Sequence, residues 1–197
     1  MIYRVIAILN LAAFYGLYVR KIWIQKKQNI RTNQAGVGDK PKKVLMVERI
    51  MGIATVLAVV AEVISVLTAA QVPGWGVQAL GAGIGVLAVV IFGLATKTMR
   101  DSWRVGIPEE KTELVTDGIY RYSRNPAFVG FDLMYLSVCL MFFNVPLVLV
   151  SALAAGMLHL QILQEEAHLQ QEFGEAYGEY RKQTMRYLGR KERRSGI

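Results

Sequence analysis

Long apolar runs are the feature that most constrains how this 197-residue chain can fold. A helix needs about 20 apolar residues to cross a hydrocarbon core roughly 30 Å thick. Three runs meet this requirement: Ile2–Ile24, Ile50–Ala70 and Trp75–Thr96. A fourth run, Ala127–Leu163, is too long for one span. Because Asn144-Val145-Pro146 in its middle favours a turn, we divide it into Phe128–Phe143 and Leu147–Leu163.

The composition agrees with a membrane location. Apolar residues make up 53% of the chain, and the mean hydropathy of +0.32 is high for a soluble protein. We therefore predict an all-α integral membrane protein of about five transmembrane helices, the last two a tight helical hairpin, followed by a cytosolic C-terminal helix. The chain forms one multi-span domain, which divides into three N-terminal spans (1–96), a cytosolic loop (97–126), the hairpin (127–163), and a cytosolic helix with a basic tail (164–197), the tail being Lys191–Ile197.

Basic residues predict the orientation of these spans. Nine Lys and Arg residues lie between Arg20 and Arg49, six between Lys97 and Arg124, and seven between Arg181 and Arg194. The remaining connections, Gln71–Gly74 and the Asn144 turn, carry none. By the positive-inside rule the N-terminus lies outside and the C-terminus is cytosolic. No small-residue cleavage site closes the first run, so it is a retained span. The short chain and its simple loops further predict a prokaryotic cytoplasmic membrane.

The charged and histidine residues exclude two kinds of partner. Membrane orientation and anionic lipids account for the net charge of +8. We expect no nucleic-acid partner, because no basic segment is interleaved with exposed aromatic residues. Glu165 and His168 have the i, i+3 spacing of di-iron ligands, but the chain contains only two histidines and lacks a second Glu-x-x-His, so we expect no metal.

Several residues inside the predicted spans, and one polar connection, allow further predictions. Gly81, Gly83 and Gly85 indicate close packing of the third helix. Glu62, near the middle of the second span, is either a protonated structural carboxyl or a site residue, and it must face protein or water. Asp132 lies shallower, within reach of the cytosolic surface. The polar connection from Gln25 to Lys43 predicts a flexible loop.

A polar junction at the cytosolic surface is the best candidate for a site. The loop Trp103–Pro126 supplies aromatic rings and cations, and the helix Glu165–Tyr180 supplies carboxylates. This combination suits a cationic or adenine-bearing ligand, because rings stack on a base or an onium charge. The alternative is that the aromatic and basic residues only anchor the chain at the membrane surface.

Three sequence blocks carry a family resemblance over Trp103–Arg186, about half of the chain. They are Trp103-Arg104-Val105-Gly106-Ile107; Leu114-Val115-Thr116-Asp117-Gly118-Ile119-Tyr120 running into Arg124-Asn125-Pro126-Ala127-Phe128-Val129-Gly130; and Glu165-Glu166 followed by Phe173-Gly174-Glu175-Ala176-Tyr177-Gly178-Glu179-Tyr180 and Arg186. In this order, and with the hairpin between them, the blocks resemble the isoprenylcysteine carboxyl methyltransferase family and, more distantly, the phospholipid N-methyltransferases.

The resemblance implies a multi-span enzyme that uses S-adenosylmethionine. It further implies a cofactor pocket lined by Glu113, Leu114, Val115, Tyr120, Asn125, Pro126, Ala127 and Phe128 and closed by Glu165. Trp103, Arg104 and Gln161 are the corresponding substrate-binding candidates, and no catalytic residue is assigned.

Three positions depart from the family pattern. Asn125 stands where the family commonly has His, Phe128 where it has Tyr, and Gln161 where the isoprenylcysteine enzymes often have Arg. A neutral amide at 161 gives up the charge-assisted pair with a substrate carboxylate. An amide at 125 cannot carry the charge of an imidazolium.

The predicted function is methyl transfer from S-adenosylmethionine to a lipophilic acceptor that enters from the bilayer. The acceptor is an isoprenylcysteine-like carboxylate, a lipid amine or a lipophilic thiol. Two alternatives stay open at this point. Sterol reductases resemble the same C-terminal pattern, which leaves an NADPH-dependent membrane reductase, and the departures at Asn125 and Gln161 leave a non-catalytic protein of the same fold.

Overall fold

Five α-helices account for most of the computed structural model, which describes residues 1–69 and 72–190. They are α1 (Ile2–Lys27), α2 (Lys42–Thr68), α3 (Trp75–Thr98), α4 (Pro126–Met141) and α5 (Val145–Gln183). Short 3₁₀ turns cover Arg100–Ser102 and Gly118–Arg121. The predicted end of the second span at Ala70, the connection that starts at Gln71, and the basic tail Lys191–Ile197 reach outside the described residues.

Four of these helices, α1, α2, α3 and α5, are long and apolar enough to cross a membrane, whereas α4 is a shorter apolar helix of 16 residues. At 1.5 Å per residue α4 spans about 24 Å, less than a typical hydrocarbon core. The outward positions of α2 are apolar, for example Ile53 and Val60, which are 63% and 48% exposed. The prediction of an all-α integral membrane protein is confirmed, while the side of the membrane that each end faces stays a prediction.

The hairpin between α4 and α5 turns two residues earlier than predicted. Residues 142–144 form the turn, and the Asn144 side chain accepts a 2.9 Å hydrogen bond from the Leu147 amide as the N-cap of α5. Pro146 lies in the first helical turn, where its missing N–H costs nothing. Asn144 also donates to Ser65 Oγ at 2.8 Å, which fixes the hairpin against the end of α2.

Small residues let α3 and α4 pack closely, as the glycine spacing predicted. A Cβ atom on Gly81 would lie 2.9 Å from the Ser137 carbonyl oxygen, and one on Gly85 would lie 2.7 Å from Ser137 Oγ. Ser137 Oγ donates to the Gly81 carbonyl at 2.7 Å. Gly83 faces open space instead, so it is not part of this contact.

Lys27, Lys42, Thr98 and Pro126 lie at the same end of the helices, which we call the loop end. Here the connection between α1 and α2 pairs with the segment after α3: the Gln34 amide donates to the Val105 carbonyl, and the Val105 amide donates to the Thr32 carbonyl, both at 2.9 Å. Glu48, which is fully buried, accepts from the amides of Gly36 and Ile107 at 2.8 and 2.7 Å. These bonds tie the predicted flexible loop to the bundle.

Candidate functional site

A pocket of about 180 Å³ lies between the helices near the loop end, and we call it the interhelical pocket. Its residues come from α1, α2, α4, α5 and the segment Trp103–Gly106. Aromatic rings form much of its wall: Tyr15, Tyr18, Trp103, Phe128 and Phe131. The rings of Tyr18 and Trp103 meet edge to face with centroids 5.7 Å apart.

The interhelical pocket extends to an exposed residue of α2. Val56 on α2 lines it and is 62% exposed. The outward positions of α2 are apolar, so this side of the pocket borders the surface that we expect to face the bilayer.

Gln161 and Glu165 lie on one face of α5, separated by one helical turn, and both line the interhelical pocket. Gln161 Nε2 donates to Glu165 Oε1 at 3.0 Å. Gln161 is fully buried, yet its Oε1 has no hydrogen-bond partner among the residues that the structure describes. A buried acceptor without a partner costs about 1–3 kcal/mol. A ligand that donates a hydrogen bond here would remove that cost.

Glu165 lies beyond the apolar part of α5. Burial raises the pKa of its carboxyl to about 7, although the hydrogen bond from Gln161 opposes the shift. The nearby negative charge of Glu48 adds to the increase. A cation in the pocket would stabilise the ionised carboxylate, because opposite charges favour the charged form.

Arg104 is the cationic residue of the interhelical pocket. Its Nε lies 2.6 Å from Glu110 Oε1, and its side chain is only 9% exposed. Gln34 Nε2 donates to the other oxygen of Glu110 at 2.6 Å. The guanidinium charge is therefore already compensated, so Arg104 is a weak partner for a ligand carboxylate.

A second, more polar cavity lies beside Arg104 at the loop end, and we call it the loop pocket. Its volume is about 750 Å³, and it contains three of the predicted cofactor residues, Glu113, Leu114 and Val115. Arg104 lines both pockets, so the two cavities adjoin at its side chain. Within residues 1–69 and 72–190, no group of three His, Cys, Asp or Glu side chains could hold a metal ion.

The predicted site residues therefore fall into three sets. Trp103, Arg104, Ala127, Phe128, Gln161 and Glu165 come together in the interhelical pocket, and Glu113, Leu114 and Val115 line the loop pocket. Tyr120, Asn125 and Pro126 line neither of these two pockets. Pro126 starts α4, and Tyr120 packs in a buried cluster with Ala95, Tyr177 and Tyr180.

Asn125 belongs to a buried polar network centred on Glu166. Glu166 Oε1 accepts from Arg124 Nη2 at 2.8 Å and from Asn125 Nδ2 at 3.1 Å. Its Oε2 accepts from Arg186 Nη2 at 2.9 Å. Burial alone would raise the pKa of Glu166, but the hydrogen bonds from Arg186 and Arg124 outweigh it and hold the pKa below its ordinary value.

The segment after α5 joins this network and covers the loop that precedes α4. The Arg124 amide donates to the Met185 carbonyl at 3.0 Å, and the Gly189 amide donates to the Tyr122 carbonyl at 2.7 Å. Asn125 Nδ2 also donates to the Arg186 carbonyl at 3.2 Å. The amide at position 125 thus makes hydrogen bonds that hold Asn125-Pro126 in place, and a charged imidazole is not needed for them.

The sequence did not indicate the contribution of α1 and α2 to the interhelical pocket. These two helices supply five lining residues: Tyr15 and Tyr18 on α1, and Thr55, Val56 and Val59 on α2. The family resemblance began only at Trp103, and the first spans matched it only in being apolar. Tyr15 and Tyr18, spaced i and i+3 within an apolar run, were the available signal of a shared face.

Two comparisons with known proteins show which family the chain is similar to. A model of the phospholipid methyltransferase family matches residues 77–176. The Protein-S-isoprenylcysteine O-methyltransferase of Schizosaccharomyces pombe is 41% identical over 72 residues, which is 36% of this chain and 30% of that protein. The match thus spans about a third of that relative's length. Both findings confirm the resemblance predicted from the three sequence blocks.

Proposed function

The chain belongs to the phospholipid methyltransferase family, and from this premise we propose that it transfers a methyl group from S-adenosylmethionine to a lipophilic acceptor. One observation carries the proposal: a single pocket combines polar groups near the loop end with residues on the exposed, apolar face of α2. A water-soluble donor and a membrane-dissolved acceptor can meet in such a pocket.

The residues of the interhelical pocket fit the charge of the proposed donor. When bound, S-adenosylmethionine supplies a methyl group on a positively charged sulfonium. The faces of Trp103 and Phe128 attract such a charge, and the Glu165 carboxylate compensates it. Gln161 Oε1, which has no partner in the described part of the chain, accepts from an amine or hydroxyl group.

The loop pocket is proposed to hold the polar remainder of the donor. Glu113 provides a carboxylate for ribose hydroxyls, and Leu114 and Val115 provide an apolar surface for a base. Arg104, which lines both pockets, marks where the polar remainder and the reactive end would meet. Tyr120, Asn125 and Pro126 line neither pocket, and we assign them the role of positioning the start of α4, through the Glu166 network and the packing around Tyr120.

The protein's part in the reaction is alignment. The methyl group of a sulfonium is already activated, so the chain's residues have to hold acceptor and donor in line. Phe128 and Phe131 on α4 and Tyr18 on α1 supply rigid, apolar walls that restrict the acceptor. No general base is required for a thiolate or carboxylate acceptor, whereas an amine must lose its proton, and Glu165 is the pocket carboxylate able to take it.

The acceptor class follows from the polar groups that remain available. Gln161 offers no positive charge, and Arg104 is paired with Glu110. A carboxylate therefore finds no free cation among the described pocket residues. Lipid amines and lipophilic thiols fit better than an isoprenylcysteine-like carboxylate.

Binding of S-adenosylhomocysteine to the purified protein tests the proposed donor. We expect S-adenosylhomocysteine, but not NADPH, to raise the melting temperature. We expect Glu165→Ala to weaken the binding of S-adenosylmethionine at least about tenfold, because the sulfonium loses the opposite charge of the carboxylate. Glu172→Ala on the same helix is the matched control, since Glu172 pairs with His168 away from both pockets. Stabilisation by NADPH alone would favour the reductase, and stabilisation by neither would favour a non-catalytic protein.

A further inference from the structure

A carboxyl group lies deep within α2 without a charged partner. Glu62 is fully buried, and its Oε2 accepts a 2.7 Å hydrogen bond from the Tyr15 hydroxyl. Its Oε1 has no hydrogen-bond partner within residues 1–69 and 72–190. Ionisable groups inside a membrane are costly and usually mark a site. Packing alone does not account for a carboxyl here, because an apolar residue would fill the same space at lower cost.

The Tyr15–Glu62 pair lies at the end of the interhelical pocket that is farther from the loop end. Tyr15 itself lines the pocket. On α2 the pocket residues extend to Val59, and Glu62 follows on the same face one helical turn later. Tyr135 on α4 is 2% exposed, and its hydroxyl is also unpartnered among the described residues. Its ring packs in the same cluster as Ala58.

This pair is far from the polar residues at the loop end. Glu48, whose charge acts on Glu165, lies about four helical turns before Glu62, or roughly 21 Å along α2. The intervening pocket residues Met51, Thr55 and Val59 are apolar except for the Thr55 hydroxyl, which bonds back to the Met51 carbonyl at 2.9 Å. The pocket is therefore polar at both ends and apolar between them.

We propose that Tyr15 and Glu62 form a second polar subsite, which binds a hydrogen-bond-donating group on the apolar part of the acceptor. The Tyr15 proton is already donated to Glu62, so Tyr15 Oη is left as an acceptor. Glu62 Oε1 accepts a hydrogen bond when the carboxyl is ionised and donates one when it is protonated. A hydroxyl group both donates and accepts, so it satisfies the pair in either state, and an ammonium group satisfies the ionised pair, whereas an ether can donate to neither oxygen. The inference rests on the proposed function in that the bound lipid is the methyl acceptor, which would then carry two separated polar groups.

Matched long-chain probes test this subsite without knowledge of the acceptor. Hexadecanol, hexadecyl methyl ether and hexadecylamine are titrated into protein in lipid nanodiscs, as mole fractions of the bilayer. Trp103, which is 4% exposed and lines the pocket, reports binding by fluorescence once the exposed Trp23 and Trp75 are replaced with Phe. We expect hexadecanol to bind about fivefold more tightly than its ether, as for one additional hydrogen bond between neutral groups.

The variants Tyr15→Phe and Glu62→Gln should reduce this ratio to about one. Ser65→Ala is the control, because it removes a buried polar group from the same helix at the end away from the pocket, and it should leave the ratio unchanged. Preference for the amine over the alcohol would assign an ammonium group, and the reverse a hydroxyl; both support the subsite. Equal binding of alcohol and ether to the wild type, or a ratio that survives in both variants, overturns it.

The same samples separate this inference from the proposed function. In the wild type, binding of S-adenosylhomocysteine reports on the proposed donor, and the ratio of alcohol to ether binding reports on the subsite. Failure of the wild type to bind S-adenosylhomocysteine would overturn the proposed donor while the probe ratio still reports on the subsite.

Discussion

Glu166→Gln is expected to destabilise the protein strongly, because it removes the charge that compensates two arginines. The side chains of Glu166 and Arg124 are only 8% and 5% exposed, whereas that of Arg186 is 34% exposed. Removing one partner of a buried ion pair costs about 3–5 kcal/mol. Glutamine keeps one acceptor oxygen, and the more exposed Arg186 can recover solvation, so we expect the low end, about 3 kcal/mol.

Thermal unfolding of the purified protein in detergent measures this effect. For a chain of this size, about 3 kcal/mol corresponds to a decrease of roughly 6–12 °C in the melting temperature. Glu179→Gln is the matched control: it breaks an ion pair with Lys182 whose two side chains are 65% and 73% exposed, and it should not change the melting temperature measurably.

The pH dependence of stability also tests the contribution of Glu166. The pKa of Glu166 is lower in the folded protein than its ordinary value of 4.5, so its stabilising contribution is present above that value. It is lost as the pH falls through the folded-state pKa. The difference between wild type and Glu166→Gln should therefore shrink in acid. If the melting temperatures of wild type and Glu166→Gln differ by less than about 2 °C at neutral pH, well under the expected 6–12 °C, Glu166 does not hold the network as described.

Three further predictions concern packing, the pocket and the loop end. Gly81→Ala should cost about 1–3 kcal/mol in unfolding experiments through overpacking against α4, whereas Gly83→Ala, which meets open space, should cost nothing measurable. Because burial raises the pKa of Glu165 to about 7, calorimetric affinity for S-adenosylmethionine should increase as the pH rises through 7, and Glu165→Gln should abolish this increase. Glu48→Gln should lower stability by about 3 kcal/mol in denaturant titrations, since the Lys40 side chain paired with Glu48 is only 6% exposed; an unchanged midpoint would contradict the buried pair.

Much of the fold was predictable from local sequence, because in a bilayer a helix satisfies its own backbone groups. The lengths of the apolar runs alone predicted α1, α2 and α3, and the Asn144-Val145-Pro146 sequence predicted the hairpin. The small-residue spacing at Gly81 and Gly85 correctly indicated a close helix contact. The prediction also included Gly83, and for this residue it was wrong, because Gly83 lies off the i, i+4 face that meets α4.

The site was less predictable, because its contacts join residues far apart in the chain. Glu48 accepts from the amide of Ile107, and no local pattern connects these positions. Tyr15 meets Glu62 only because α1 and α2 pack side by side. The family resemblance implied that Asn125 lines the cofactor pocket, and in the structure its amide donates to Glu166. The structure places Trp103, Phe128 and Glu165 together in one pocket, and the roles that the family resemblance implied for them stay predictions.

Product formation tests the central proposal most directly. Purified protein is incubated with methyl-labelled S-adenosylmethionine and a total membrane lipid extract, and the labelled product is identified. We predict label in a lipid-soluble product that depends on the protein and is strongly reduced in Glu165→Ala. Absence of labelled lipid, from wild-type protein that is folded and binds S-adenosylhomocysteine, would contradict transfer to a lipophilic acceptor.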